Sequence, residues 1–406
     1  MKVARLARVL PALLLVVAPF MDGCGDFWQA PGGSGGSGTT STTLSSGVFY
    51  LLNQAPNEII AYSITTGSLN TIGNYTLASA PTAIAIAPGS GYLYVATAGA
   101  GVYIYTISST GALTVGNNGQ AIIPTDLAQA ITVDTTGKWL VDAEDALSGA
   151  VYLNAYQIDT STGLLTTGTQ YQQTVSNATA SVEKMAIGGD DGYIFVALGE
   201  DGTWFLPFSS GSTNPITSSG LIIPTKTSGA SALSVAVDPV PTGATTPRLF
   251  YVGETDASSG YGGLRAFDYS TLGSGSVTEI SGSPYSAGGA SALAPAAILP
   301  DASGDYIYVA SGNGTSDGLI QGFNITSSGT GSSTTYSLSA INTVATGITP
   351  AGMAEDSQNN FVFTVSSGGS PALSAFIFDT TTLGQLDTTN ISVSGTGAVA
   401  VAAQAP

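Results

Sequence analysis

Apolar runs of β-branched and aromatic residues alternate along the chain with turns of Gly, Ser, Thr and Asn, and the runs repeat one phrase. It reads Gly-Val-Phe-Tyr-Leu-Leu at 47–52, Gly-Tyr-Leu-Tyr-Val-Ala at 91–96 and Gly-Lys-Trp-Leu-Val-Asp at 137–142. It returns as Gly-Tyr-Ile-Phe-Val-Ala (192–197), Arg-Leu-Phe-Tyr-Val-Gly (248–253), Asp-Tyr-Ile-Tyr-Val-Ala (305–310) and Asn-Phe-Val-Phe-Thr-Val (360–365). Tyr50, Tyr94, Leu140, Phe195, Tyr251, Tyr308 and Phe363 then lie 44, 46, 55, 56, 57 and 55 residues apart. A strand-rich repeat of this length is the mark of a propeller blade. The pattern predicts an all-β fold, a seven-bladed β-propeller of four-stranded antiparallel blades, over 47–406.

Blade two shows the strand order. Pro81 to Pro88 alternates small and branched residues and suits the crowded innermost strand. Tyr92–Thr97, Val102–Ile107 and Ala112–Val115 follow as second, third and fourth strands, with a Ser-Ser-Thr-Gly turn at 108–111 between the last two. Ordered structure opens at Val48 with a second strand and ends at 397–403 with a sequence fit for an inner strand. The C-terminal strand is therefore expected to complete blade one and close the ring, leaving no open edge. Asp134-Thr-Thr-Gly137, Asp190-Asp191-Gly192 and Asp301-Ala-Ser-Gly304 resemble ion sites. They read as tight turns, with Asp accepting from backbone N–H groups and Gly taking a positive φ.

Residues 1–23 have the form of an export signal, with Lys2, Arg5 and Arg8 before an apolar stretch from Val9 to Phe20. Gly23-Cys24 resembles a lipobox, although Asp22 stands where a small neutral residue is usual. Lipidation at Cys24 or an ordinary signal peptide both fit. Residues 24–46, rich in Gly, Ser and Thr, read as a flexible tether. The expected location is outside the cytoplasm, at a bacterial cell envelope, with membrane contact through the N-terminal lipid only.

Composition narrows the chemistry. Acids number 26 and bases 8, with a formal charge of −18. Loss of 1–23 leaves 25 acids against 5 bases. Such a field disfavours nucleic acid and anionic surfaces and leaves neutral or cationic ligands, or an envelope protein, as partners. Histidine is absent and Cys24 is the only cysteine. His-based nucleophile systems, His-type zinc sites, thiolate cages and intrachain disulfides are thereby excluded.

The acids sort by connection. Second-to-third loops carry Glu58, Glu144, Asp145, Glu200, Asp201, Glu254, Asp256 and Asp317. Loops into inner strands add Asp126 and Glu183, with Lys184 the notable base. In this strand order both sets share the face around the mouth of the axial channel. Converging carboxylates suit Ca²⁺ or a cationic ligand. The alternative is that they solvate the loops, and no loop has a recognised Ca²⁺ spacing. Tyr261 and Tyr285 lie in loops on the same side, where they can stack on a sugar or be passive.

The phrase at 81–96 and Ile158-Asp-Thr-Ser-Thr-Gly-Leu-Leu165 resemble the seven-bladed lactonase propellers, the group of 6-phosphogluconolactonase-like and muconate-cyclising enzymes. The leader and the run at 24–31 are similar to exported lipoprotein members. The resemblance covers about 47–403 and implies lactone hydrolysis or formation at the channel mouth, through polar groups that include His, Arg and an acid. No family catalytic residue carries over position by position. Within this chain, Glu254 is the candidate to activate water and Arg265 to polarise a carbonyl. Two functions follow: a non-catalytic binding or scaffolding head on the envelope, and a lactone hydrolase. No cofactor is called for, Ca²⁺ being the one ion the acidic face suits.

Overall fold

The computed structural model describes residues 47–403 except 66–67, 125–126, 147–148, 175–180, 256–262, 289–293, 313, 316–317, 330–333 and 357. The leader, Cys24 and the tether lie outside the described residues. Seven antiparallel sheets follow one another along the chain, each with four strands, and the fifth blade adds a short strand at Tyr285–Ser286. The innermost strands are Pro81–Ala87, Ala128–Val133, Lys184–Ile187, Ala232–Val237, Ala294–Pro300 and Pro350–Glu355 in blades two to seven. Blade one takes its innermost strand, Ala398–Ala403, from the C-terminus, paired antiparallel to Gly47–Gln54 with Tyr50 opposite Ala402. The chain ends thus lock the ring, as the strand pattern predicted.

Period-2 alternation of apolar residues packs each blade against both neighbours. In the second strand of blade one, Phe49 and Leu51 face blade seven, while Tyr50 and Leu52 face blade two. The described core accordingly divides into seven clusters, one at every blade interface, including the closing one. Across that closing interface the rings of Phe49 and Phe363 stack at 3.9 Å. Burying each such ring is worth about 1.5–3 kcal/mol, so closure is driven by the same packing as the other six contacts.

A second tie repeats between blades. The Tyr50, Tyr94 and Tyr308 hydroxyls donate to the carbonyls of Gly111, Gly163 and Gly384, each in the third-to-fourth turn of the next blade. These turns press hard on their neighbour. A Cβ on Gly384 would stand 2.1 Å from the Tyr306 ring, at a φ of +76°. Only glycine meets both demands.

The Asp turns on the opposite face are structural. Asp134 accepts from the amides of Lys138 and Trp139, Asp301 from Tyr306, and Asp356 from Asn360 and Phe361. One detail departs from expectation. In the 190–192 turn Asp191 takes the positive φ of +53°, and its carboxylate accepts from Thr135 of blade three.

Candidate functional site

The seven inner strands surround an axial cavity of about 240 Å³, to which every blade contributes. Six of them share one irregularity near their start, between Pro81/Ala83, Ala128/Ala130, Ala232/Ser234, Pro295/Ala297, Pro350/Gly352 and Ala398/Ala400. After the bulge, Ala83, Ala130, Ser234, Ala297, Gly352 and Ala400 occupy equivalent positions opposite the end of the second strand. Blade four has Lys184 there, opposite Ala197. Six blades place a small residue in this ring and one places a long cationic side chain. The small residues leave room for it.

Lys184 lines the axial cavity and also a second one of about 320 Å³ at the mouth, bounded by Glu183, Leu233, Ala296 and the 349–351 entry to blade seven. Backbone bonds from Ala98 to Ala80 and from Thr255 to Ser231 confirm that second-to-third turns lie beside entries to inner strands on this face. Among the described residues Lys184 makes no hydrogen bond or ion pair. Burial lowers its ammonium from the usual lysine value, and the charge of Glu183 opposes this. Glu183 is fixed by its neighbours. Its amide donates to Ala197 O at 2.9 Å, and its carboxylate accepts from Ser181 Oγ. One residue earlier, the Val182 amide donates to Asp145 Oδ1 at 2.7 Å. Burial raises the Asp145 carboxyl, with the Val182 bond opposing. Asp145, from the predicted acidic set, therefore shapes the loop that presents Glu183 and Lys184.

Arg265 and Glu254 meet, but away from the channel. Arg265 Nη1 donates to Glu254 Oε1 at 2.7 Å and to Pro224 O at 2.9 Å. Its Nε and Nη2 grip both oxygens of Glu279 at 3.1 and 3.0 Å, and Lys226 Nζ reaches Glu279 at 2.9 Å. The other Glu254 oxygen accepts from the Lys226 amide. The guanidinium lies 4.7 Å over the Phe267 ring, in a crevice of about 280 Å³ between the outer strands of blades four and five. Alternation explains the place: Leu264 faces blade six, so Arg265 and Phe267 face blade four. Four donors of Arg265 and both oxygens of Glu254 are committed to this network. The geometry makes the pair a brace within the wall, which corrects the assignment of Arg265 to a carbonyl at the mouth.

The remaining acids serve locally. Glu58 accepts from Asn53 and Asn74, and Glu144 from Asn154. Glu200 and Asp201 form the tip of the tight 199–202 turn. Among the described residues no three carboxylates gather to hold a metal. Asp126, Asp256, Asp317 and Tyr261 lie outside the described residues. The Tyr285 hydroxyl donates to Ser281 O and its ring meets Phe323 edge-on, so it is packed into the blade wall.

One buried polar cluster was not foreseen. Asp238, on the face opposite the mouth, accepts from the Tyr251 hydroxyl at 2.8 Å. Its second oxygen stands 3.7 Å from Arg248 Nε, and neither atom has a hydrogen-bond partner among the described residues. Burial raises the Asp238 carboxyl to about 7, against the pull of Tyr251 and Arg248. The Val-Asp ending of its inner strand, shared with Asp134, was the available signal.

No family model and no curated protein matches the sequence. Solved structures do. A periplasmic gluconolactonase of Pseudomonas aeruginosa superposes with a TM-score of 0.66 at 15% identity, over 89% of this chain and 99% of that one. A candidate 6-phosphogluconolactonase of Bacteroides fragilis gives 0.65 at 16% identity, over 90% and 99%. A functionally unknown protein of Desulfotomaculum acetoxidans gives 0.62 at 13%, over 89% and 99%. The chain shares its seven-bladed fold with these proteins.

Proposed function

We propose that this propeller binds a small neutral lactone at the channel mouth and opens its ring by hydrolysis. The observation that carries the reading is the meeting of Glu183 and Lys184 where the mouth cavity joins the axial channel. The Glu183 carboxylate takes a proton from water as its oxygen attacks the carbonyl carbon. The ammonium of Lys184 donates to the oxygen that becomes negative. The ring C–O bond then breaks, the alkoxide takes up a proton and a hydroxy acid leaves. The other bounding groups at the mouth, such as Leu233, Ala296 and Pro350, are uncharged, which suits a neutral ligand. Support comes also from the neighbour described as a periplasmic gluconolactonase. With the leader and Cys24, that neighbour favours a protein working in the cell envelope, held there by a lipid.

The test is acid release from glucono-1,5-lactone and from aliphatic lactones, followed by pH-stat titration against the spontaneous rate. Glu183→Gln is expected to lower turnover by roughly 10²-fold or more, the usual worth of a positioned base. Absence of turnover by the parent protein removes the hydrolytic reading. Saturable lactone binding without turnover would instead make this mouth a binding module.

A further inference from the structure

Lys184 differs from the other two lysines beyond residue 23. Lys138 is exposed on the opposite face, and Lys226 is ion-paired to Glu279. Lys184 alone projects from a ring of small residues into a ligand-sized space, with no hydrogen bond or ion pair among the described residues. The cavities it lines are walled by Ala, Val, Ile and Met together with neutral polar groups such as Thr82, Gln129 and Ser234, and Glu183 is the single acid that bounds them. An amine so placed is open to a carbonyl carbon entering from the mouth, while the one hydroxyl of the ring, Ser234 Oγ, donates to Pro295 O at 2.8 Å.

We propose that Lys184 captures small aldehydes, such as open-chain hydroxyaldehydes, as a reversible Schiff base inside the channel. The inference rests on the mouth site described above and not on lactone hydrolysis. The Nζ lone pair forms a C–N bond to the aldehyde carbon, and the carbonyl oxygen becomes the hydroxyl of a carbinolamine. Loss of water then leaves C=N, the water carrying away the carbonyl oxygen and both amine protons. No oxidant or reductant takes part. The depressed ammonium favours the free amine that this step needs. Glu183, the residue just before that strand, bounds the same cavity and is placed to move protons between carbinolamine and water.

The experiment uses the folded protein with glycolaldehyde and cyanoborohydride, which reduces the imine to a stable secondary amine. Peptide mass spectrometry reads each lysine separately. At pH 8, Lys184 is expected to label several-fold faster than the exposed Lys138, because its lowered ammonium leaves more free amine. Its labelling rate should level off at a lower pH than that of Lys138. Equal or slower labelling of Lys184, or a shared pH profile, overturns the proposal. Trapping without lactone turnover in the parent protein removes hydrolysis alone. Turnover without selective trapping removes the Schiff base alone.

Discussion

Arg265 and Lys184 both reach into this propeller, and their surroundings are opposite. Arg265, in the crevice between blades four and five, spends four donors on Glu254, Glu279 and a carbonyl. Lys184, in the axial channel, has no such bonds among the described residues and one carboxylate nearby. A buried charge is tolerated when its neighbours replace the lost water. Arg265 meets that condition and so belongs to the architecture. Lys184 does not, and it sits at the one place where seven blades leave an opening. An unpaired base that the fold keeps in a ligand-sized channel is better explained by chemistry than by packing.

The largest test of this contrast removes the paired cation. Arg265→Ala strands two carboxylates, one of them almost fully buried, and is expected to cost about 3–5 kcal/mol in denaturant unfolding. Combining Arg265→Met with Glu254→Gln and Glu279→Gln should recover most of that loss, since no bare charge remains. A single variant that unfolds like the parent would show that the network braces nothing.

The sequence carried these two sites unequally. The blade period and the C-terminal inner strand were legible because alternation and spacing survive without knowledge of neighbours. Which face of a third strand meets which blade was not. Arg265 follows a long Gly-rich loop and therefore read as a mouth residue, whereas Leu264 beside it claims the blade-six side and turns Arg265 toward blade four. Glu183 and Lys184 stood out as charges in a loop entering an inner strand. Their meaning was hidden because what sets Lys184 level with Ala83, Ala130 and Gly352 is pairing register. Within the predicted acidic set, Glu58 and Glu144 accept from neighbouring Asn side chains, and Asp145 meets the site through the Val182 amide.

Acid and alkali should separate the paired network from the buried carboxyl on the opposite face. Burial pushes Glu279 upward, but bonds from Arg265, Lys226 and Ser283 prevail and hold it at about 2. A depressed carboxyl stabilises the fold above its unfolded value of 4.5, and that stabilisation is lost as pH falls toward 2. Asp238, raised to about 7, has the reverse sign. Its contribution is complete below its unfolded value of 3.8 and is lost as pH rises through 7. Glu355, also raised to about 7 by burial, adds to the same slope. Unfolding free energy measured from pH 3 to 9 should thus decline toward alkali. Asp238→Asn should flatten that decline by an amount on the order of 1–2 kcal/mol, and Glu279→Gln should flatten only the acid limb. An Asp238→Asn variant that keeps the parent's alkaline slope would assign the slope elsewhere.

The smallest expected effect bears most directly on Lys184. If the amine is held against its solvation for the sake of a ligand, Lys184→Met should cost nothing in stability. The thioether fills the stem's volume without the buried charge, and the variant should gain up to about 1 kcal/mol at pH 7. The gain has a pH signature. Lys184 titrates lower in the folded protein than in the unfolded chain, so the unfolded chain binds more protons between the two values. Parent stability therefore rises with pH through that window, relative to the variant. The gap between them should narrow toward pH 10, where the unfolded lysine approaches its own pKa of about 10.4. A methionine variant that is less stable than the parent at pH 7, by a margin that does not vary with pH, would mean that the side chain is structural, and Lys184 would then join Arg265 on the architectural side of the comparison.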